Sequence, residues 1–362
     1  MALLPSFIRP TRMTKRPAGP TGRPPAGDRS GSGAPDVVLD APDDRLSPAL
    51  VAAGQGEYAA ASRLLAATRA AADWEHHDRY VRRLAGFAGS RPEWFQDWRA
   101  AAPDDPGGLL VAAQLAVDRV WSSPARAELL REVSPLITDA ARADERDPVP
   151  WRIALDHARG SRAGHRYFEE LWEAAVRRAP HHYGCHVAAL RYLAAFRHGA
   201  HGACLDFAER AAQDAPADSL VQALPARAAF GCLTDGHPGD RDPGVPPARL
   251  HAAADRAIEL SGRFAAADPW PAEIRNKLLY VLLRLDRPLE ARSQLCLIGP
   301  YATSFPWGRF SDDPLGHFLR LRDHLLTAPS VPAPPGLVPV CSGPLGERGG
   351  HAGAGADYAG AP

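Results

Sequence analysis

The sequence predicts an all-α protein: a right-handed α-solenoid of degenerate helical hairpins between two disordered tails. Three observations support this prediction. Apolar residues recur at helical spacing in one run after another, with charged residues on the opposite side of each run. Dipeptides that end in proline close these runs, because proline cannot continue a helix. No alternation of apolar and polar residues is long enough to predict a β-strand.

The stretch 151–216 shows the helical pattern most clearly. Its most regular stripe includes Phe168, Leu171 and Ala175, which share one side of a helix that ends before Pro180. Two further amphipathic runs follow in the same stretch. Each run alone is too short to be stable in water, so each must bury its apolar stripe against the next. Stacked helical hairpins are the expected result.

The spacing of the proline dipeptides indicates a repeat. Their prolines are separated successively by 45, 32, 36, 53 and 31 residues. Three of these intervals lie near the roughly 34-residue period of tetratricopeptide repeats. A Gly/Pro/Asp-rich insert at 234–247, predicted to be a surface loop, accounts for the longest interval. Residues 56–61 match the Gly-x-Tyr-x-x-Ala pattern of that repeat, but the other matches are partial, so the predicted repeats are degenerate.

The helices are predicted in order from residue 47. Pro92 stands in the first turn of one of them, where its missing N–H is harmless, and Pro135 predicts a kink in another. The aromatic segment 304–310 is predicted to be a loop that folds back on the last hairpin, and the final helix is predicted to cap the stack. The predicted helical ranges are 47–53, 58–72, 74–84, a helix starting at 91, 109–121, 125–142, a helix starting at 151, 166–179, 187–194, 204–212, 220–233, 250–266, 272–285, 289–298 and 313–326.

The two ends of the chain are predicted to be disordered. Residues 1–45 and 328–362 are rich in proline, glycine and other small or polar residues and lack apolar periodicity. Such segments cannot bury enough apolar surface to offset their ordering entropy. The helical-repeat domain is therefore predicted over 46–327. Met13 is an alternative start of the chain.

Composition argues against several classes of function. The 42 basic and 42 acidic residues balance, so there is no general electrostatic attraction to nucleic acid or to an anionic membrane. No apolar run approaches the roughly 18 residues of a membrane span. The five cysteines are scattered and never spaced as Cys-x-x-Cys, which favours a reducing compartment. We therefore predict a cytoplasmic protein with no nucleic-acid partner and no membrane partner.

A histidine and cysteine cluster within 181–204 is the group of residues most typical of metal chemistry. His182 and His186 lie four residues apart beside Cys185, and His201 follows. Zinc is held by four such side chains, but no familiar metal motif is matched, and structural histidines are the competing interpretation. No phosphate-binding loop, nucleophile elbow or metalloprotease motif occurs. We predict a protein that is not an enzyme and has no cofactor, with metal binding by this cluster as the alternative.

A concave groove is the predicted binding site, because stacked hairpins curve and take up peptides or a partner helix. The predicted function is therefore that of a scaffold for a protein or peptide partner. Arg275, Asn276 and Lys277 open one predicted helix, and an asparagine beside cations could bind a peptide backbone or a carboxylate. The competing interpretation is that these are the ordinary polar residues of a helix N-terminus. The candidate groove residues are Arg152, His157, Arg191, Arg275, Asn276 and Lys277.

A family resemblance depends on four segments: RPEWFQDWRAAAPDDP (91–106), RDPVPWRIALDHARG (146–160), residues 179–216, and SFPWGRF (304–310). Over roughly 90–325 the chain resembles a family of uncharacterised bacterial proteins defined as a domain of unknown function. That family typically has Lys-Trp before Gly-Ser-His, whereas Ala195-Phe196 and Gly199-Ala200-His201 stand here. The resemblance implies a tetratricopeptide-like helical fold and no particular activity.

Overall fold

The structure is a computed structural model that describes residues 37–196, 201–235 and 244–327. Sixteen α-helices dominate these ranges, which confirms the all-α class. The predicted tail 328–362, most of the predicted tail 1–45 and most of the predicted surface loop 234–247 lie outside the described residues. The helices are α1 (Ser47–Gly54), α2 (Ala59–Ala70), α3 (Trp74–Ser90), α4 (Glu93–Ala101), α5 (Pro106–Val120), α6 (Arg126–Ala143), α7 (Val149–Gly160), α8 (His165–Arg178), α9 (Tyr183–Phe196), α10 (His201–Asp214), α11 (Leu224–Asp235), α12 (Pro247–Ser261), α13 (Ala272–Arg284), α14 (Pro288–Ile298), α15 (Ser304–Trp307) and α16 (Pro314–Thr327).

Local sequence explains several of the helix ends. The Asp105 carboxylate accepts a hydrogen bond from the Gly108 amide at 2.9 Å and so caps the start of α5. Gly56 has a φ of 92° in the turn between α1 and α2, a conformation that strains residues with a Cβ. Pro135 lies inside α6, which continues through it to Ala143.

Tertiary contacts begin before the predicted boundary at residue 46. Strand β1 (Val38–Leu39) pairs in parallel with strand β2 (Tyr301–Ala302). Next to β1, the Asp40 carboxylate accepts a hydrogen bond from the Ser304 amide at 3.0 Å. The prediction of no strand and of a tail extending to residue 45 is therefore corrected. Two-residue strands leave no alternating pattern, and this pairing joins segments that are distant in sequence.

The aromatic segment 304–310 also differs from the predicted loop. It contains the short helix α15, which contacts α13 and α16. Trp307 is fully buried, and its indole nitrogen donates a hydrogen bond to Asn276 Oδ1 at 2.8 Å. The segment thus folds back on the last hairpin, and a buried aromatic anchor with a satisfied N–H holds it there.

The odd-numbered helices from α3 to α13 form a row in which each helix contacts the next. The even-numbered helices from α6 to α14 pack beside this row, and the buried apolar side chains form two clusters that meet at Leu193 and Phe207. The start of the row lies close to its end. Arg79 on α3 donates a hydrogen bond to the Trp270 carbonyl at 2.6 Å, and its guanidinium lies 3.8 Å from the Trp270 ring centre. The row therefore encloses an interior.

Two features bear on the predicted compartment. Within the described ranges, every helix is too short or too polar to cross a membrane. Cys185, Cys204 and Cys232 are buried and form no disulfide bond, whereas Cys296 is disulfide-bonded. The cytoplasmic location therefore stays a prediction.

Gly160 ends α7 where this helix meets α6. A Cβ here would overlap the Leu130 side chain and lie 2.9 Å from the Trp121 ring. We expect Gly160→Ala to lower the free energy of unfolding by about 1–3 kcal/mol in urea denaturation, because these side chains must shift. Gly86→Ala in α3 is the matched control, since its Cβ would meet nothing within 4 Å. Equal stability of the two variants would contradict the close packing of α6 and α7.

Candidate functional site

Charged and polar side chains from every helix of the odd-numbered row converge in its interior. Among them, seven basic side chains meet five acidic ones, an excess of positive charge in a chain whose total charge is balanced. We call this group the inner polar cluster. Its members are Glu75, Asp78, Arg79 and Arg82 of α3, Gln114 and Asp118 of α5, Arg152, Asp156 and Arg159 of α7, Arg191 of α9, Arg227 of α11, and Glu273 and Lys277 of α13.

The first centre of the cluster is the buried carboxylate of Asp78. Arg152 donates to its Oδ1 from Nε at 2.8 Å, with Nη2 at 2.7 Å, and Arg82 Nη2 lies 3.2 Å from its Oδ2. Burial alone would raise the pKa of Asp78, but the charges of Arg152 and Arg82 hold it well below its usual range. Arg152 also donates a hydrogen bond to Gln114. This centre therefore ties α3, α5 and α7 together.

The second centre is the carboxylate of Glu273. Arg227 donates to it at 2.9 Å, and Lys277 Nζ lies 3.6 Å from the same oxygen. Burial opposes ionisation of Glu273, but Lys277 and Arg227 bring its pKa well below the usual range. Burial and the charge of Arg227 lower the pKa of Lys277 to about 7. Lys277 also donates a long hydrogen bond of 3.4 Å to the Tyr183 hydroxyl, which brings the start of α9 to this centre.

Arg191, unlike the arginines around Asp78 and Glu273, has no ion-pair partner. Its guanidinium makes no hydrogen bond or ion pair with any residue of the described ranges, although it interacts electrostatically with Arg227, Asp156, Arg159 and Glu273. Burial, together with the charges of Arg227 and Arg159, lowers the pKa of Arg191 to about 10, whereas Asp156 and Glu273 act in the opposite direction. A cation that is partly buried and has no direct partner is suited to receive an anion.

Arg191 lines a cavity of about 190 Å³ that three other arginines share. The Arg159 guanidinium lies 4.2 Å from the Trp121 ring centre, a cation–π arrangement. The Nε atoms of Arg82 and Arg159 have no hydrogen-bond partner. Several guanidinium groups around one small space suit a carboxylate or phosphate, which arginine binds through paired hydrogen bonds. We call this space the arginine cavity; its lining residues are Arg82, Gln114, Val117, Asp118, Trp121, Arg152, Asp156, Arg159 and Arg191.

The structure places three of the six predicted groove residues in the inner polar cluster and the other three elsewhere. Arg152 and Arg191 line the arginine cavity, and Lys277 belongs to the inner polar cluster.

The other three predicted groove residues serve the fold. All five N–H donors of Arg275 are bound by protein oxygens. Asn276 is fully buried and accepts the Trp307 hydrogen bond described above. A ring nitrogen of His157 lies 2.7 Å from the Leu130 carbonyl, and burial lowers the pKa of this histidine. We therefore leave Arg275, Asn276 and His157 out of the candidate site.

The predicted histidine and cysteine cluster is not assembled as a metal site. His182 Nδ1 lies 3.1 Å from Cys185 Sγ, and His186 Nδ1 donates to the His182 carbonyl at 3.0 Å. His201 does not complete a ligand set with them: across the described ranges, no three His, Cys, Asp or Glu side chains are placed to hold one ion. The geometry gives the metal alternative no support.

Cys185, His182 and Asp78 form a series that superficially suggests a nucleophile with its base. His182 Nδ1 contacts the thiol, and His182 Nε2 lies 3.9 Å from Asp78. A nucleophilic cysteine must be accessible and ionised. Cys185 is fully buried, and burial raises the pKa of its thiol well above the usual value. We assign this series no catalytic role.

Seven residues of the arginine cavity are absent from the sequence prediction: Arg82, Gln114, Val117, Asp118, Trp121, Asp156 and Arg159. One signal for the site was present. Asp78 lies three residues before Val81 on the apolar stripe of α3, where a charged residue must find partners inside the protein. Which partners it finds depends on helices far away in sequence, so the cavity itself could not be predicted.

Comparison of the chain with protein-family models, with curated proteins and with solved structures finds no match. The resemblance to a family of uncharacterised bacterial proteins therefore stays a prediction. The functional conclusion rests on the geometry of the inner polar cluster.

Proposed function

We propose that the protein is a non-enzymatic helical-repeat scaffold, a right-handed α-solenoid of degenerate tetratricopeptide-like hairpins, which binds an acidic protein or peptide segment in the arginine cavity. The observation that supports this most directly is the guanidinium of Arg191, which is partly buried and makes no hydrogen bond or ion pair within the described ranges. The other three arginines of the cavity each form an ion pair with a carboxylate, whereas Arg191 forms none within the described ranges. An acidic partner would supply the missing counter-charge.

The size and composition of the cavity favour a carboxylate from a polypeptide. About 190 Å³ is smaller than usual small-molecule and cofactor sites, which occupy roughly 300–1,000 Å³. A single aspartate, glutamate or chain-terminal carboxylate needs less space. The rest of the peptide would lie along the polar interior of the odd-numbered row, where backbone groups find donors and acceptors.

Arg191→Met is expected to weaken retention of the partner about 10- to 100-fold, since charge-assisted hydrogen bonds to a buried carboxylate are lost. The measurement is affinity capture from a lysate of the source organism, followed by mass spectrometry. The same change is expected to leave the melting temperature unchanged or raise it, because it removes a partly buried cation that forms no ion pair.

Arg142→Met is the matched control for that experiment. Arg142 is 78% exposed on α6 and lies outside the inner polar cluster. The control is expected to retain the same proteins as the natural chain. Equal retention by the Arg191→Met variant would contradict the proposed use of the arginine cavity.

A further inference from the structure

A second cavity lies between α8, α9 and α10. Its volume of about 380 Å³ falls within the range usual for small-ligand sites. It shares no lining residue with the arginine cavity. We call it the aromatic cavity; it is lined by Trp172, Val176, Pro180, His181, His186, Phe207, Arg210, Ala211 and Asp214.

His186 provides one hydrogen-bond acceptor inside this cavity. The side chain is only 4% exposed, and its Nδ1 lies 3.0 Å from the His182 carbonyl. A carbonyl only accepts, so Nδ1 carries the hydrogen. Burial lowers the pKa of His186 to about 4, so the ring is neutral at pH 7 and Nε2 is an acceptor. Within the described ranges, Nε2 has no hydrogen-bond partner.

Aromatic rings form the walls around this acceptor. The Trp172 ring meets the rings of His186 and Phe207 edge to face, with centroids 5.0 and 5.5 Å apart. Val176 and Ala211 complete the apolar lining. A planar aromatic ring would extend these edge-to-face contacts. To satisfy His186 Nε2, that ring must also carry a donor.

The rim of the cavity carries one charge of each sign. Arg210 and Asp214 lie one turn apart on α10, both exposed, and they form no ion pair with each other. Arg210 makes one hydrogen bond, from Nε to the Asp206 carbonyl at 3.2 Å, which leaves its terminal nitrogens open. A carboxylate beside Arg210 and an ammonium beside Asp214 would complement both charges.

We infer that the aromatic cavity binds a free aromatic α-amino acid whose ring carries an N–H or O–H donor, the chemistry of tryptophan or tyrosine. The ring donor would bond to His186 Nε2, the carboxylate to Arg210 and the ammonium to Asp214. This inference is independent of the proposed function, because Arg191 takes no part in it.

Isothermal titration calorimetry of the full chain tests it with four probes. L-Tryptophan is expected to bind saturably. Indole is expected to bind about tenfold more tightly than 1-methylindole, which has nearly the same shape but lacks the N–H donor. N-Acetyl-tryptophanamide is expected to bind about tenfold more weakly than L-tryptophan, because it has neither terminal charge. Absence of saturable L-tryptophan binding, equal binding of the two indoles, or tighter binding of the amide would overturn the inference.

Two variants locate the binding. His186→Phe keeps a ring but removes the acceptor, so L-tryptophan is expected to bind about tenfold more weakly while 1-methylindole binds unchanged. Ala211→Phe fills the cavity and is expected to abolish binding of every probe. His165→Phe, an exposed histidine on α8, is the control and is expected to bind as the natural chain does. Undiminished L-tryptophan binding by a folded His186→Phe or Ala211→Phe variant would place the ligand elsewhere.

Discussion

Asp78→Ala is expected to lower the free energy of unfolding by about 3–5 kcal/mol, measured by urea denaturation followed by circular dichroism. The carboxylate is fully buried and is the common partner of Arg152 and Arg82. Removing it leaves Arg82 without its ion-pair partner and leaves Arg152 only the more distant Asp156, 3.7 Å away. A buried cation with a weakened or missing counter-charge is unfavourable inside a protein. The Arg152–Gln114 hydrogen bond persists but carries no negative charge.

The double variant Asp78→Ala/Arg152→Met is the matched control. It removes both members of the closest pair and is expected to recover part of the lost stability, because one fewer buried cation is left alone. Acid titration gives a second check. The folded-state pKa of Asp78 lies below its ordinary value of 3.8, so its stabilisation is present above pH 3.8 and is lost as pH falls below it. A loss below 1 kcal/mol for Asp78→Ala would contradict the role of this centre.

Arg275→Met is expected to lower the free energy of unfolding by at least about 4 kcal/mol. Arg275 Nε donates to Ser261 Oγ at 3.0 Å, and its terminal nitrogens donate to the carbonyls of Ser261, Phe264, Ala265 and Leu297, each at 2.9 Å. One guanidinium thus satisfies the end of α12, the turn after it and the end of α14. Without it, several buried acceptors are left unpaired.

Two further substitutions separate geometry from charge at this position. Arg275→Lys keeps the positive charge but lacks the planar set of five donors, so it is expected to lose most of the same stability. Arg263→Met, at an exposed arginine just after α12, is expected to change stability by less than about 0.5 kcal/mol. A difference below 1 kcal/mol between Arg275→Met and Arg263→Met in urea denaturation would contradict the account.

Periodicity predicted the helices well because helix formation is decided by neighbours three and four residues apart. The range 272–285 was predicted for α13, which spans Ala272–Arg284. The pairing of Val38–Leu39 with Tyr301–Ala302 was missed, because two residues form no pattern and their partner lies at the other end of the domain. Local sequence is informative about local structure only.

The candidate site was predicted less completely for the same reason. Arg275, Asn276 and Lys277 are sequence neighbours that were predicted to bind together. Successive residues on a helix point about 100° apart, so the three side chains enter different environments. Arg275 binds the α12 and α14 ends, Asn276 meets Trp307, and Lys277 reaches Glu273. Only the fold decides which of them faces the interior.

The two ion-pair centres and the arginine cavity together form one arrangement. Asp78 and Glu273 form ion pairs with four of the seven basic side chains of the inner polar cluster. Arg191 shares the cavity with Arg82 and Arg152 and forms no ion pair within the described ranges. The proposed anion site therefore consists of ion-paired arginines around one guanidinium that has no ion-pair partner.

Selection from a library of random peptides tests the central claim most directly. The natural chain and the Arg142→Met variant are expected to enrich peptides that contain aspartate, glutamate or a C-terminal carboxylate at one fixed position. The Arg191→Met variant is expected to lose that enrichment while remaining folded by circular dichroism. Enrichment of peptides without an acidic group, or the same acidic peptides with Arg191→Met, would contradict binding of an acidic segment in the arginine cavity.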